Sequence, residues 1–473
     1  MIPTIALLVF MAGIAGLFFL DRDSSLRTSK ALWLPVIWLL INGSRPISIW
    51  LGLSGSAASG DGLPGSSPLD QLVAAILMVL GILVILRRRG AISLLGTAWP
   101  VTLFFSYCLI SVLWSDFSAW GLKRWIRSFG DLIMVLIPLI EIQPVAALRR
   151  LFSRVGFVLL PSSILLIRYF PNLGRGYDVS GLQMNTGVTT NKNELGAIAF
   201  VLALGTAWQV LRLVRDKTQP NRSRHLLAQC TLLCFGIWVL NMAHSATSGA
   251  CFVLGLGLMV ATARPLFRQR PAAVHVLLVT ILLCGGLTLL LGGQGAAANA
   301  MGRSQDLTGR TDVWKVLIPM APNPIFGAGF ETFWLGQRAE KVRAVFSSPF
   351  NPSFINEAHN GYIEAYLNLG LLGVGLMALL LSNGYIGAVA AFRNNPEVGC
   401  LLIAFILTSA TYSITEAGFR MLSPIWFFLL FSAIGARRII AVSKGKQNVV
   451  EETSNARMRD RLSRPPLAVA SRR

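Results

Sequence analysis

The chain has 473 residues, of which 54% are hydrophobic and only 13% charged, a balance that excludes an ordinary soluble core. Its net charge of +21 would suit a nucleic-acid partner, but the cations stand between apolar runs rather than on one basic face. The composition therefore predicts an all-α polytopic membrane protein.

A spanning helix needs about 20 mostly apolar residues. About thirteen candidates follow along the chain, near 2–20, 31–52, 70–86, 96–114, 129–143, 153–170, 195–213, 226–243, 247–263, 272–292, 360–392, 398–415 and 422–440. No basic stretch precedes the first, so it reads as a retained span rather than a removable leader. With the amino terminus outside, the inner connections and tail hold 28 of the 42 Lys and Arg and leave 14 outside. That bias sets the orientation. The expected organisation is ten spans over 1–292, an outer loop over 293–359, three spans over 360–440, and a basic tail over 441–473 lying inside near anionic lipid. All six cysteines fall within spans, with no disulfide or zinc pattern.

Span 1 ends in Asp21-Arg22-Asp23, an acid pair of the kind by which some membrane glycosyltransferases hold a metal. The charge rule puts it inside, where it reads as a solvated helix end. Arg45 stands at the outer end of span 2, where an arginine is costly and either has a task or snorkels to the interface. The Gly/Ser segment SGSAASGDGLPGSSP follows as an outer loop.

After span 4, WSDFSAWGLKRWIRSFGD carries Lys123, Arg124 and Arg127 outside, against the general bias. Arg124 and Arg127 are three apart and share a helix face, which suits an anionic ligand or headgroup anchoring. The next outer loop contains Arg175, Tyr177, Asp178, Lys192, Asn193 and Glu194. Thr190 or Asn191 would cap span 7, whose outward amino end favours either a phosphate beside Lys192 or ordinary capping. His225 and His275 fall inside, so only His244, at the end of span 8, and His359 can act outside.

Leu307 to Gly373 is a long polar connection rich in Trp, Phe and Tyr, which argues for order and function. Thr311 would cap a short amphipathic helix, with Arg310 just before it. NPIFGAGF is a turn cluster, and ETFWLGQRAEKVRAVF suits a second interfacial helix. In NEAHNGYIEAY, Glu357 precedes His359, which opens span 11, Asn360 is its cap, and Glu364 follows. Gly370, Gly373 and Gly375 permit close helix approach. Glu416 and Arg420 add outer charges that pair with each other or meet substrate.

Together TGRTDVW, NPIFGAGFETFW and AHNGYIEAYLNLGLLG resemble the signature of the O-antigen ligase and Wzy-type polymerase superfamily. WSDFSAWGLKRW and TTNKNELG are similar to two further family blocks. ALWLPVIWLLINGSRPISIWLG resembles the exopolysaccharide polymerase branch of the succinoglycan kind, and the likeness runs from about 30 to 440.

The resemblance implies a metal-independent, cofactor-free glycosyltransferase of GT-C type in the bacterial inner membrane. It would polymerise repeat units from undecaprenyl pyrophosphate at the periplasmic face. The implied partners are undecaprenyl-pyrophosphate-linked oligosaccharide, membrane lipid and a chain-length-regulating copolymerase, with no nucleic acid. It also implies His359 as the acceptor's base and Arg310 as a pyrophosphate contact. Ligases carry a further arginine in a Ser-Arg-Gly-like string, but SATSGA stands here, which leaves Arg124, Arg127, Arg45, Arg175 and Lys192 as candidates for that contact. Asn360, Glu357, Glu364 and His244 are expected to support the site.

The chemistry is coherent with these residue types. A sugar hydroxyl needs a base near neutral pKa, and arginines can stabilise a leaving pyrophosphate without a metal. Three other readings remain: a lipid A-core ligase, a metal-dependent glycosyltransferase using Asp21 and Asp23, and a lipid-linked oligosaccharide transporter. Charges gathered on one face without repeated halves count against the last.

Overall fold

In a computed structural model the described residues are 2–23, 28–53, 67–88, 90–177, 181–270, 272–276, 306–346 and 355–463. Outside them lie Arg27, the Gly/Ser loop at 54–66, Arg89, Asp178, the expected tenth span beyond 276, the polar connection at 293–305 and 347–354, and the tail beyond 463.

The described chain is helical apart from one two-stranded antiparallel hairpin, β1 (Arg175–Tyr177) and β2 (Gln183–Asn185). Its main helices are α1 (Ile2–Leu20), α2 (Trp33–Asn42), α3 (Pro68–Arg87), α4 (Ala91–Thr97), α5 (Trp99–Ser111), α6 (Ser118–Leu139), α7 (Pro144–Tyr169) and α8 (Lys192–Arg215). They continue as α9 (Arg222–Ala243), α10 (Ala246–Thr262), α11 (Asp306–Leu317), α12 (Gly336–Phe346), α13 (Gly361–Asn394), α14 (Pro396–Thr415) and α15 (Pro424–Ser463).

Among the described residues eight helices are long and apolar enough to cross a membrane: α1, α3, α7, α8, α9, α13, α14 and α15 over its first 20 residues. The pair α4 and α5 meets at 91° and counts as a ninth if read as one bent span. The helices α2 and α10 are apolar but shorter, and α6 carries charges at its start. The expected span 31–52 stops at Asn42, so Arg45 falls in the connection before a short helix at Ile47–Trp50. The expected span 129–143 begins earlier, at Ser118, which takes Arg124 and Arg127 into a helix.

Aromatic stacking at the centre joins α7, α14 and α15, where the Phe152 ring lies 4.6 Å from Phe428 and 5.8 Å from Phe405. At the rim, α1 exposes Leu8, Val9, Met11 and Phe19, and α3 exposes Leu72, Ile76, Val79 and Leu86. Apolar faces of this kind are stable against lipid and unfavourable against water. The molecule is a multi-pass membrane protein.

One device positions the polar connection. Helix α13 is interrupted at Gly370, whose φ of 66° and ψ of −169° break the helical ladder. A break at membrane depth needs other partners for its backbone groups, and the turn before α12 supplies them. Leu371 N donates to Pro324 O (2.8 Å) and Leu372 N to Ile325 O (3.2 Å), while Ala328 N and Gly329 N donate to Leu367 O (3.0 Å) and Asn368 O (2.9 Å). The approach is so close that a Cβ on Gly370 would lie 2.1 Å from the Ile325 carbonyl oxygen. The NPIFGAG turn is thus fastened into a helix that follows it by some forty residues.

Candidate active site

A cavity of about 350 Å³ opens where α6 and α8 begin and α14 ends. Its cationic wall is Arg124 and Arg127 of α6 with Arg420 of the connection before α15. Its acidic wall includes Glu331, Glu357 and Glu416, and its apolar wall includes Trp38 of α2, Leu77 of α3 and Ile198 of α8. Arg124 donates to the backbone carbonyl of Glu331 and so joins α6 to the turn.

The polar ring is closed by four segments distant in sequence. His359 Nδ1 lies 3.0 Å from Glu357 Oε1 and 3.4 Å from Glu416 Oε2. The other oxygen of Glu416 pairs with Arg310 Nη2 at 3.0 Å, and that of Glu357 with Arg420 Nη1 at 3.3 Å. Arg310 also donates to the Thr415 carbonyl, and Asn193 Nδ2 donates to Glu416 Oε2 (3.3 Å).

Burial opposes a charged imidazole, but the hydrogen bonds and negative charges of Glu357 and Glu416 outweigh it and push His359 up to about 10. Burial likewise raises Glu357, and the His359 hydrogen bond with the charges of His359, Arg420 and Arg310 overrides it, bringing the carboxyl down to about 2. At neutral pH the cluster is an imidazolium and two guanidinium groups around two carboxylates. This differs from the near-neutral imidazole expected from sequence, because both carboxylates share the one ring nitrogen.

Glu357, His359 and Glu416 bring their ligand atoms within 4.8 Å of one another, a donor set suited to a divalent cation that no sequence spacing disclosed. Each carboxylate already faces a guanidinium, so the residues present balance that charge themselves and do not fit a further cation well.

The other expected residues sort by position. His359 and Arg310 stand behind the cavity wall rather than among its lining residues, holding Glu357 and Glu416, which do line it. Helix α11 starts at Asp306, so Arg310 and Thr311 lie within it and Thr311 is not its cap. Asn360 caps α13, accepting from Tyr362 N (2.9 Å) and Ile363 N (3.0 Å), and donates to Ile414 O (2.9 Å). Glu364 is held by Trp334 Nε1 at 2.9 Å and by Ala358 N at 2.5 Å, beneath the segment that carries His359.

Arg45 is occupied elsewhere: it donates to Thr189 O (2.9 Å) and Thr186 Oγ1 (2.9 Å) and latches the loop before α8. Arg175 donates to Ile167 O (3.1 Å) at the hairpin, and neither arginine is in the cavity lining. Asn191 caps α8 by accepting from Glu194 N (2.8 Å), and Glu194 reaches back to Thr190 N and Oγ1, a reciprocal cap. A carboxylate therefore already sits at the helix end expected to receive phosphate, and Lys192 is outside the lining. His244 terminates α9 in left-handed backbone with φ of 48° and is likewise outside it.

Asp21 accepts from Gln229 Nε2 at 3.0 Å and lies 3.3 Å from His225 Nδ1. Those partners lie near the start of α9, where Gln229 shares Ser153 with Gln209 of α8, 11 residues beyond Ile198 at the cavity. At 1.5 Å per residue that is roughly 16 Å along α8.

Sequence reasoning did not single out Glu331, and it left Glu416 and Arg420 open. Glu331 has φ of 56° although it is not a glycine, and nothing in the residue type announces that.

The profile of the O-antigen ligase family matches residues 230–378. The matched stretch contains Arg310, Glu331, Glu357 and His359, whereas Arg124, Arg127, Glu416 and Arg420 lie outside it. The chain is also 25% identical over 295 residues to the exopolysaccharide production protein ExoQ of Rhizobium meliloti (strain 1021). The similarity takes in 60% of this chain and 63% of that relative, so it spans less than two thirds of the relative's length. Both likenesses agree with the resemblance to the O-antigen ligase and Wzy-type polymerase superfamily drawn from the sequence.

Proposed function

We propose that the chain is an integral-membrane glycosyltransferase that joins lipid-linked oligosaccharide repeat units into an exopolysaccharide. The donor in this reading is glycan on undecaprenyl pyrophosphate, and the work is done on the periplasmic side of the bacterial inner membrane. The observation that carries it is the meeting of three guanidinium groups, Arg124, Arg127 and Arg420, with an apolar wall from α2, α3 and α8 in one cavity. Such a cavity matches a ligand with a pyrophosphate head and a polyprenyl tail, and the lipid-facing flank of α3 gives the tail a way in. The likeness to ExoQ favours exopolysaccharide over a lipid A-core acceptor.

In the reaction the acceptor hydroxyl oxygen bonds to the donor's anomeric carbon. The bond from that carbon to the pyrophosphate oxygen breaks, and the electron pair leaves on the phosphate. The arginines stabilise the charge that gathers there, and planar guanidinium groups bind phosphate oxygens two at a time. His359 enters as an imidazolium that fixes Glu357 and Glu416; to act as the acceptor's base it must first give up its proton.

The test is reconstitution of the full chain in proteoliposomes with undecaprenyl-pyrophosphate-linked oligosaccharide, with polymer followed on gels. Arg124→Ala and Arg127→Ala should each lower transfer by about 10²-fold or more and weaken binding of undecaprenyl pyrophosphate. Undiminished polymer from both variants would remove the cavity from the reaction.

A further inference from the structure

We infer that Glu331 takes the proton from the acceptor hydroxyl, an assignment that rests on the glycosyl-transfer reading above. A second, smaller cavity of about 80 Å³ adjoins the first. Its walls include Phe330, Trp334, Phe419 and Trp426, flat apolar rings of the kind that pack against the faces of sugars. Glu331 lines both cavities, together with Arg124, Glu357 and Arg420. With the donor pyrophosphate beside Arg124 and Arg127 and an acceptor sugar against the aromatic wall, Glu331 stands where the two substrates meet.

The other carboxylates lining these cavities are committed. Asp70 accepts from Ser48 N and Oγ, and Glu194 from Thr190. Glu357 and Glu416 are paired with His359 and with arginines, and Glu364 is held by Trp334 and Ala358 N. Among the described residues the Glu331 carboxylate makes no hydrogen bond or ion pair, so its oxygens are available to a substrate hydroxyl.

The backbone supports the assignment. Glu331 holds φ of 56°, a conformation that costs a non-glycine residue free energy and persists where the surroundings impose it. Arg124 imposes it in part by donating to the Glu331 carbonyl, so the cation proposed to grip the donor also fixes the base. His359, by contrast, already carries its proton between two carboxylates. The charged groups sharing the smaller cavity with Glu331 are Arg124 of α6, Arg343 of α12, Glu357 and Glu364 around the start of α13, and Arg420 before α15, and the larger one adds Asp70, Arg127, Glu194 and Glu416.

The step balances without an added reactant. The acceptor O–H bond breaks and its proton passes to a Glu331 oxygen. The freed pair forms the bond to the anomeric carbon while the pyrophosphate departs with the pair of the bond it leaves. Glu331 then returns the proton to the released pyrophosphate or to water.

The experiment uses the full chain in proteoliposomes with undecaprenyl-pyrophosphate-linked oligosaccharide as the probe. Glu331→Gln should cut the transfer rate by about 10²–10⁴-fold while binding of undecaprenyl pyrophosphate stays within about threefold of wild type. Glu331→Gly suits the left-handed backbone and removes the carboxylate, so added formate should restore its rate by at least about tenfold. The proposal is overturned if Glu331→Gln transfers within about threefold of wild type, if it loses lipid binding in step with rate, or if formate restores nothing. A wild-type chain that transfers no glycan overturns the underlying reading as well, which separates the two failures.

Discussion

Arg310 and Glu416 are 106 residues apart in the chain and meet at 3.0 Å. The side chain of Glu416 is 7% exposed, and its carboxylate also faces His359. Removing one partner of a buried pair leaves an uncompensated charge at a cost of roughly 3–5 kcal/mol. Because Arg310 is partly solvated and His359 remains, Arg310→Ala should cost about half of that. Thermal unfolding in detergent should show it, and Arg310→Ala with Glu416→Ala should be less destabilised than the sum by about 1 kcal/mol or more. Strict additivity would mean that the contact carries no coupling.

The pH dependence of stability follows from the same cluster. His359 is raised from an ordinary 6.5 to about 10. A group with a raised folded value contributes stability that is fully present below pH 6.5 and is lost as pH rises through about 10. Glu357, lowered to about 2, contributes stability present above its ordinary 4.5 and lost as pH falls through about 2. The melting temperature of the purified protein should therefore drop between pH 7 and 10 more steeply for wild type than for His359→Gln. Parallel curves for the two proteins would contradict the assigned imidazolium.

Gly370→Ala should be among the most damaging single-methyl changes in the chain. Its φ of 66° disfavours any side chain, and the new Cβ would sit 2.1 Å from the Ile325 carbonyl oxygen. Strain of this kind costs roughly 3 kcal/mol or more, enough to lower the amount of protein recovered from membranes. Gly375→Ala, which meets nothing within 4 Å, is the control and should express normally. Equal yields from the two variants would mean that the turn does not clamp the break.

Trp334 should matter through its N–H as well as its ring. Trp334→Phe removes the donor to the half-buried Glu364 carboxylate, costing about 1–3 kcal/mol, while Glu364→Gln in the same background should recover part of the loss. If Trp334→Phe melts with wild type, the indole hydrogen bond to Glu364 is immaterial.

Asp21→Asn should leave glycan transfer within about twofold of wild type, because Asp21 contacts Gln229 and His225 far from the cavity. Transfer should likewise be insensitive to EDTA. A large loss in either assay would instead favour metal-dependent chemistry at the far end of the bundle.

Much of the fold was legible because long apolar runs leave a chain few alternatives to membrane helices. The capping of α8 by Asn191 and of α13 by Asn360 was legible for a similar reason, since a short polar side chain just before an apolar run meets unsatisfied N–H groups. The site was legible only in part. His359, Glu357, Arg124 and Arg127 stood out as polar residues against apolar surroundings, but their partners depend on which connections meet at one end of the bundle. Glu416 and Arg420 looked like a pair four residues apart, yet each reaches to another segment. Arg45 looked like a ligand-binding cation and instead holds backbone carbonyls, a distinction that residue type does not carry.

The clamp at Gly370 and the ring around Glu416 differ in when the growing chain can complete them. Residues 324–329 are synthesised before Gly370, so the partner of the broken helix is already made when the break emerges. The ring has no such advantage. Arg310, Glu357 and His359 must all wait for Glu416 and Arg420, near the end of the bundle, before the ring is complete. A chain truncated after α13 would keep the clamped turn and carry a half-built, unbalanced site, so biogenesis and catalytic competence are separable stages in this molecule.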